Sequence, residues 1–229
     1  RWPVLRRIAS IGAASFFNQL AMMLVQIVLN NSLTYYGGQS AYGQAIPLAC
    51  AGIVTKVNQV FFSIVIGIGQ GTQPIESYNY GARRFGRVRE AYRIALLYGG
   101  GVSLISFALF QLVPRQLIGL FGQGSEEYFR FGISYFRVYL GCTCLNFLQP
   151  ITSPFFPSIG KPVKGIFLSL TRQILFLLPL LVVLPLFLGI DGILYAGPAA
   201  DGLAAVVTVA MAAVELRAMR RLEAAQRPA

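Results

Sequence analysis

Between residues 52 and 74, polar and small positions recur every three or four residues: Gly52, Lys56, Gln59, Ser63, Gly67, Gln70 and Pro74. Steps of three and four stay on one face of a helix, and the runs VFF and IVI fill the other sides. The pattern predicts a helix that is apolar around most of its circumference and carries one polar stripe. A second stripe of the same period holds Ser15, Gln19, Met22, Gln26 and Asn30, with Asn18 and Asn31 beside it. A third places Arg130, Ser134, Arg137, Gly141 and Cys144 on one face.

Crossing the hydrocarbon of a bilayer takes about 20 mostly apolar residues. Six segments meet that length, approximately 8–34, 45–75, 91–113, 128–151, 163–188 and 199–216. They predict an all-α integral membrane fold, a six-transmembrane-helix bundle in which residues 1–229 form a single membrane domain. Several segments exceed the necessary length, which implies tilt or helix continuing beyond the membrane. The glycine- and proline-broken stretch GIDGILYAGPAADG predicts an outer loop marked by Asp191 and Asp201.

Basic residues collect at alternate ends of these segments. Arg1, Arg6 and Arg7 precede the first, and Arg83, Arg84, Arg87, Arg89 and Arg93 follow the second. Lys161 and Lys164 lie between the fourth and fifth, and Arg217, Arg220 and Arg221 follow the sixth. The other connections are poor in base: YYGGQSAYGQ carries no charge, and 115–127 sets one arginine against two glutamates. Cytoplasmic loops carry the excess of Lys and Arg, so both termini are expected to be cytoplasmic.

Composition agrees with a chain dissolved in lipid. Hydrophobic residues make up 55% and charged residues 12%, about half the charged share of a soluble domain. Mean hydropathy is +0.63. The net charge of +11 is divided into short clusters between uncharged stretches, which argues against a nucleic-acid footprint. No histidine is present, removing the usual general base and the commonest neutral metal ligand. Cys50, Cys142 and Cys144 lie in apolar segments and read as small packing residues, not as a metal or disulfide framework. With no deep carboxylate pair and no nucleophile beside a base, an enzyme is the least supported class, and no cofactor or metal is expected. The first apolar run is too long for the core of a cleavable signal peptide.

An ionisable group at the bilayer centre costs about 2.5–3.5 kcal/mol, so Lys56 is expected to face protein or water and to line a pathway. Gln19, Gln26, Asn30, Gln59 and Gln70 are candidates for the same lining, with interhelical hydrogen bonding as the alternative. Phe16, Phe17, Tyr139 and Phe147 can offer π faces to lipophilic cations or simply pack in the core. Arg137 is near enough to the outer surface to snorkel. Glu76 is expected to form an interfacial ion pair with Arg83 and Arg84. Gly67 and Gly71 are expected to admit a neighbouring helix, and Pro74 to kink or end its own. No Asp or Glu is placed deep in any span, so a coupling carboxylate is expected outside this chain. The glycines of GIGQGTQPIESYNYGARR follow a membrane span and not a strand, so they are not a dinucleotide loop.

The stretch VFFSIVIGIGQGTQPIESYNYGARR resembles the segment following the eighth transmembrane helix of multidrug and toxin extrusion (MATE) transporters. The pattern is carried by Gly69, Gln70, Gly71, Gln73, Pro74, Ser77, Tyr78, Asn79, Tyr80 and Gly81, and is closest to the bacterial MepA-like branch. PFFPSIGKP resembles the family's turn between its tenth and eleventh helices, with RQILFLLPLLVVLP after it. The resemblance covers essentially the whole chain and implies a C-terminal lobe: six of twelve helices, in two lobes related by a pseudo-two-fold axis along the membrane normal. It implies extrusion of lipophilic cationic molecules in exchange for protons or sodium ions, in the bacterial inner membrane. The implied partners are the lipid bilayer, the small-molecule substrate and an N-terminal six-helix lobe, or a second copy if the chain is naturally half-length. The start at Arg1 instead of Met fits a chain cut between lobes.

Where the family's sodium-binding branch has acids on its seventh and tenth helices, this sequence has Gln19, Gln26 and Asn30, then Cys142 and Asn146. No sodium site is therefore carried over, and the proton-handling aspartate of another branch belongs to the other lobe. Lys56 would repel a cationic substrate unless it meets an acid of the other lobe; otherwise the substrate is anionic or zwitterionic. The alternatives are a lipid-linked oligosaccharide flippase, for which Lys56 and Arg137 are a modest start, and a non-transporting half-length membrane protein.

Overall fold

The computed structural model describes residues 2–122 and 124–225, and within the first helix it describes side chains at Phe16 and from Gln19 onward. The helices are α1 (Trp2–Gly38), α2 (Ala45–Gly81), α3 (Phe85–Leu112), α4 (Pro114–Gly119), α5 (Glu126–Tyr139), α6 (Leu148–Ser158), α7 (Pro162–Leu170), α8 (Leu178–Leu188) and α9 (Ile190–Ala225). A 3-10 turn, Thr143–Leu145, precedes α6, and a π-helical stretch, Thr171–Leu177, joins α7 to α8. The regular structure of the described residues is wholly helical.

Four helices, Ala45–Gly81, Phe85–Leu112, Pro162–Leu188 and Ile190–Ala225, are long and apolar enough to cross a membrane. At 1.5 Å per residue the 37 residues of α2 extend about 55 Å, well beyond a hydrocarbon layer of about 30 Å. Large apolar side chains such as Leu104, Leu112, Phe187 and Val206 stay exposed around the bundle. Such a surface suits lipid and would be a liability in water. The interior holds two apolar clusters. One gathers Leu33, Cys50, Val54, Phe110, Tyr135, Phe136 and Leu181 near the start of α2. The other gathers Val65, Val88, Tyr92, Phe155, Phe156 and Met219 near its end. The second cluster lies toward the basic end of the bundle, where α2 and α9 finish and α3 and α7 begin.

Three expectations change. The predicted segment 128–151 is two helices, α5 and α6, separated by a turn. Gly141 weakens helix there, and the Thr143 hydroxyl donates to the Leu140 carbonyl at 2.7 Å, competing with the backbone ladder. The third stripe is therefore broken: Arg130, Ser134 and Arg137 are exposed on α5, whereas Gly141 and Cys144 sit in the turn. Second, GIDGILYAGPAADG is helix and not loop, because Gly189 (φ +58°) makes the turn and α9 starts at Ile190. Its glycines serve packing instead. A Cβ on Gly192 would lie 2.5 Å from the Leu184 carbonyl, and one on Gly197 would lie 2.8 Å from the Tyr139 ring. Third, α2 does not end at Pro74 but continues to Gly81, which leaves the kink of the two expected outcomes.

Candidate functional site

The stripe of α2 is turned out of the bundle. Gly52, Lys56, Gln59, Ser63, Gly67, Gln70 and Pro74 are all exposed, while Cys50, Val54, Val57, Val65 and Gly69 on the opposite face are buried. Lys56 forms no ion pair among the described residues. The Ser63 hydroxyl donates to the Gln59 carbonyl at 2.7 Å. Pro74 has no N–H to give the Gln70 carbonyl four residues earlier, so that oxygen lacks its usual helical donor. Polar groups on a membrane helix lose hydration if they meet acyl chains, so this face belongs against water or a second protein body.

On α1, Gln19 and Gln26 are exposed and Asn30 is half-buried, with Gln26 Nε2 donating to Asn30 Oδ1 at 3.0 Å. Helix α1 packs against α2. Gln26 lies about 18 Å from the end of α1 and Lys56 about 16 Å from the start of α2, so the two stripes reach the same depth. Ser15, Phe17 and Asn18 lie outside the described side chains. Phe16 is exposed, but Tyr139 and Phe147 are packing residues. Tyr139 stacks on Tyr135 with centroids 4.9 Å apart, and Phe147 lies against Gly100.

The signature segment divides by face. Gln70, Gly71, Pro74, Ser77, Tyr78 and Gly81 are exposed, whereas Gly69 and Asn79 are buried and Gln73 and Tyr80 half-buried. Gly69, not Gly67 or Gly71, is where a helix approaches: its Cβ would stand 2.6 Å from the Pro150 carbonyl oxygen, whereas the other two have open space. Gln73 Nε2 donates to the Pro154 carbonyl at 3.4 Å, adding to the same α2–α6 contact. Tyr80 meets Phe85 edge-on with centroids 5.6 Å apart.

The carboxylates differ from expectation. Glu76 is 1% exposed and lies beside Ser158, while Arg83 and Arg84 are exposed, so the expected ion pair is absent. Asp201 is not in a loop: it is buried within α9 and accepts from Arg172 Nε at 2.6 Å. Glu215, also buried in α9, pairs with Lys161 and with Lys164, the latter at 3.2 Å. Carboxylates therefore do lie inside the helical bundle, Asp201 at the twelfth residue of α9 and Glu76 and Glu215 toward the basic end. Arg172 inside an apolar run was the available signal, because an intramembrane arginine implies an acid nearby. A small crevice between α2, α3 and the 3-10 turn is lined by Asn58, Ser103, Ser106, Thr143 and Asn146 among aromatic neighbours.

Among the described residues, a wholly helical bundle with lipid-suited apolar sides and one exposed polar stripe defines a class: a multi-pass helical membrane protein. Residues 14–183 match the MatE family, and the chain belongs to it; members of this family are transporters and not enzymes. The chain is 22% identical over 208 residues to the multidrug export protein MepA of Staphylococcus aureus (strain NCTC 8325 / PS 47), covering 90% of this chain and 44% of that protein. MepA of strain MSSA476 is 20% identical over 206 residues, with the same coverage of 90% and 44%. The chain thus spans about half the length of the curated relatives it matches.

Solved structures carry the same fold. An outward-facing multidrug resistance MATE family transporter of the MOP superfamily superposes with a TM-score of 0.83 at 20% identity, over 96% of this chain and 48% of that one. An inward-facing form gives a TM-score of 0.83 at 20% identity, over 96% and 50%. A MOP superfamily transporter from Pyrococcus furiosus, reported for the reverse polarity of its binding pocket, gives 0.82 at 20% identity, over 96% and 48%.

Proposed function

We propose that this chain is the C-terminal lobe of an antiporter that exports lipophilic cationic small molecules in exchange for protons or sodium ions. The observation that carries the reading is the outward-facing stripe Lys56, Gln59, Ser63 and Gln70 in a chain half as long as its relatives. A second six-helix lobe, from the same polypeptide or a second copy, would close that stripe and the Gln19, Gln26 and Asn30 face of α1 into a cavity. The lobes would rock about this midplane site, opening it to one side of the membrane at a time. The excess of Arg and Lys at the basic end supports a cytoplasmic location for that end and for both termini, in the bacterial inner membrane.

Lys56 favours a second substrate class, lipophilic anions or zwitterions, because an unpaired cation on the cavity face repels cations. The reverse polarity reported for the Pyrococcus furiosus pocket is a precedent within the fold. Liposomes carrying the complete protein, loaded in parallel with a fluorescent lipophilic cation and a lipophilic anion, test both readings. Efflux of the cation under an imposed ion gradient supports the first, and efflux of the anion alone supports the second. No efflux of either from correctly inserted protein defeats the export reading.

A further inference from the structure

Three buried carboxylates lie in the described bundle, and two have basic partners: Arg172 for Asp201, and Lys161 with Lys164 for Glu215. Glu76 has none. The groups set against it come from α3 and α6. From α6, the last residue, Ser158, places its hydroxyl 2.9 Å from Glu76 Oε2. From α3, the titratable group facing Glu76 is Tyr92, whose hydroxyl is engaged with Thr152 at 2.7 Å. Arg89 pairs with Glu223 through Nη2, its buried Nε having no acceptor, and Lys161 and Lys164 pair with Glu215. Arg83, Arg84, Arg87, Glu90 and Arg93 are exposed.

The hydrogens at this site do not suffice for an ionised Glu76. Ser158 has one hydroxyl hydrogen and two acceptors in reach, Glu76 Oε2 and, at 2.7 Å, the Phe155 carbonyl. Glu76 Oε1 is buried with no donor, and so is Asn79 Oδ1, one helical turn further on. The Asn79 amide cannot simply turn over, because its Nδ2 already donates to the Ile75 carbonyl at 2.8 Å. Acceptor oxygens outnumber hydrogens. One proton on Glu76 lessens this shortage: a carboxylic acid donates to Ser158 Oγ, freeing that hydroxyl for the Phe155 carbonyl. It also removes an uncompensated charge from the interior.

We propose that Glu76 is a proton-binding site of this lobe, neutral while α2 and α6 are packed together as seen here. Gly69 against Pro150 and Gln73 on Pro154 hold that packing, so the carboxyl is sealed from solvent. Loss of the proton to water leaves an anion that needs hydration, which requires α2 and α6 to part at the basic end. Proton release is thereby linked to opening there. The coupling to transport rests on the export reading above, while the protonation itself does not.

Infrared spectroscopy of the complete protein in liposomes, titrated from mildly acidic to alkaline pH, reads the proton directly. A neutral carboxylic C=O band is expected in the wild type, lost in Glu76→Gln and shifted in frequency in Ser158→Ala. A band unchanged in both variants, or no such band in the wild type, overturns the proposal. In the same liposomes, Glu76→Gln is expected to lose acceleration of efflux by a proton gradient at least tenfold while retaining substrate–substrate exchange. Full gradient acceleration in that variant overturns the coupling. If the wild type moves no substrate, the export reading fails and the band still decides whether Glu76 binds the proton. Should Glu76→Gln not insert, the Ser158→Ala shift decides instead.

Discussion

Arg172, half-buried, and the buried Asp201 join two helices through one hydrogen-bonded ion pair, Nε to Oδ1 at 2.6 Å. Arg172 lies at the start of the π-helical stretch and Asp201 eleven residues beyond the first residue of α9, about 16 Å along it. Among the described residues neither side chain makes a second ion pair. Removing one leaves a desolvated charge, at a cost of about 3–5 kcal/mol, whereas replacing both by apolar groups of similar volume is close to neutral. Arg172→Met and Asp201→Leu singly should each lower the unfolding midpoint in detergent sharply, and the double substitution should recover most of the loss. Equal losses in singles and double would show that the pair is not what these side chains contribute.

Gly69 and Gly71 are neighbours in one motif with opposite packing. A Cβ at Gly69 would stand 2.6 Å from the Pro150 oxygen, and one at Gly71 meets nothing within 4 Å. Gly69→Ala should therefore destabilise by roughly 1–3 kcal/mol through overpacking. Gly67→Ala and Gly71→Ala should leave the lobe unchanged or gain roughly 0.5–1 kcal/mol of helix stability. Thermal unfolding of the three variants in detergent checks the order. If Gly71→Ala is stable yet impairs transport, its open side is where the other lobe comes close.

Periodicity made the stripe of α2 legible, because its apolar and polar faces separate cleanly in a long uninterrupted helix. The face of Gly69 was not legible: three glycines spaced by two cannot say which one meets a neighbouring backbone. Asp201 was misplaced for a related reason. Gly192, Gly197 and Pro198 are punctuation marks in isolation, but here the glycines admit Leu184 and Tyr139 against a continuous helix. Glu76 followed the nearest charges in sequence, Arg83 and Arg84, whereas its neighbour in space is eighty-two residues away at Ser158. Long-range pairings of this kind depend on helix packing, which periodicity does not encode.

Lys56 separates the two substrate classes. At an effective dielectric constant of about 20, a substrate charge about 8 Å away interacts with it by roughly 2 kcal/mol. That corresponds to about a thirtyfold change in affinity. Lys56→Gln should raise affinity for a lipophilic cation or lower it for an anion by that order, with little effect on stability because the side chain is exposed. Equilibrium binding of a fluorescent cation and anion to the purified protein gives the sign. An unchanged affinity for both would remove Lys56 from the pathway.

Glu215 is shared by two lysines of the α6–α7 turn region, and the sharing predicts strong non-additivity. Its side chain is 4% exposed, while Lys161 and Lys164 are 38% and 46% exposed. Losing either lysine leaves the carboxylate one partner, so Lys161→Ala and Lys164→Ala should each cost no more than about 1 kcal/mol. Losing both strands a buried anion, and the double variant should cost about 3–5 kcal/mol, more than the sum of the singles. Adding Glu215→Gln to the double variant removes that anion and should restore much of the stability. Unfolding midpoints of the wild type and these four variants in one detergent complete the cycle. Additive losses, or no rescue by Glu215→Gln, would mean that the lysines act through their own packing and not through the shared carboxylate.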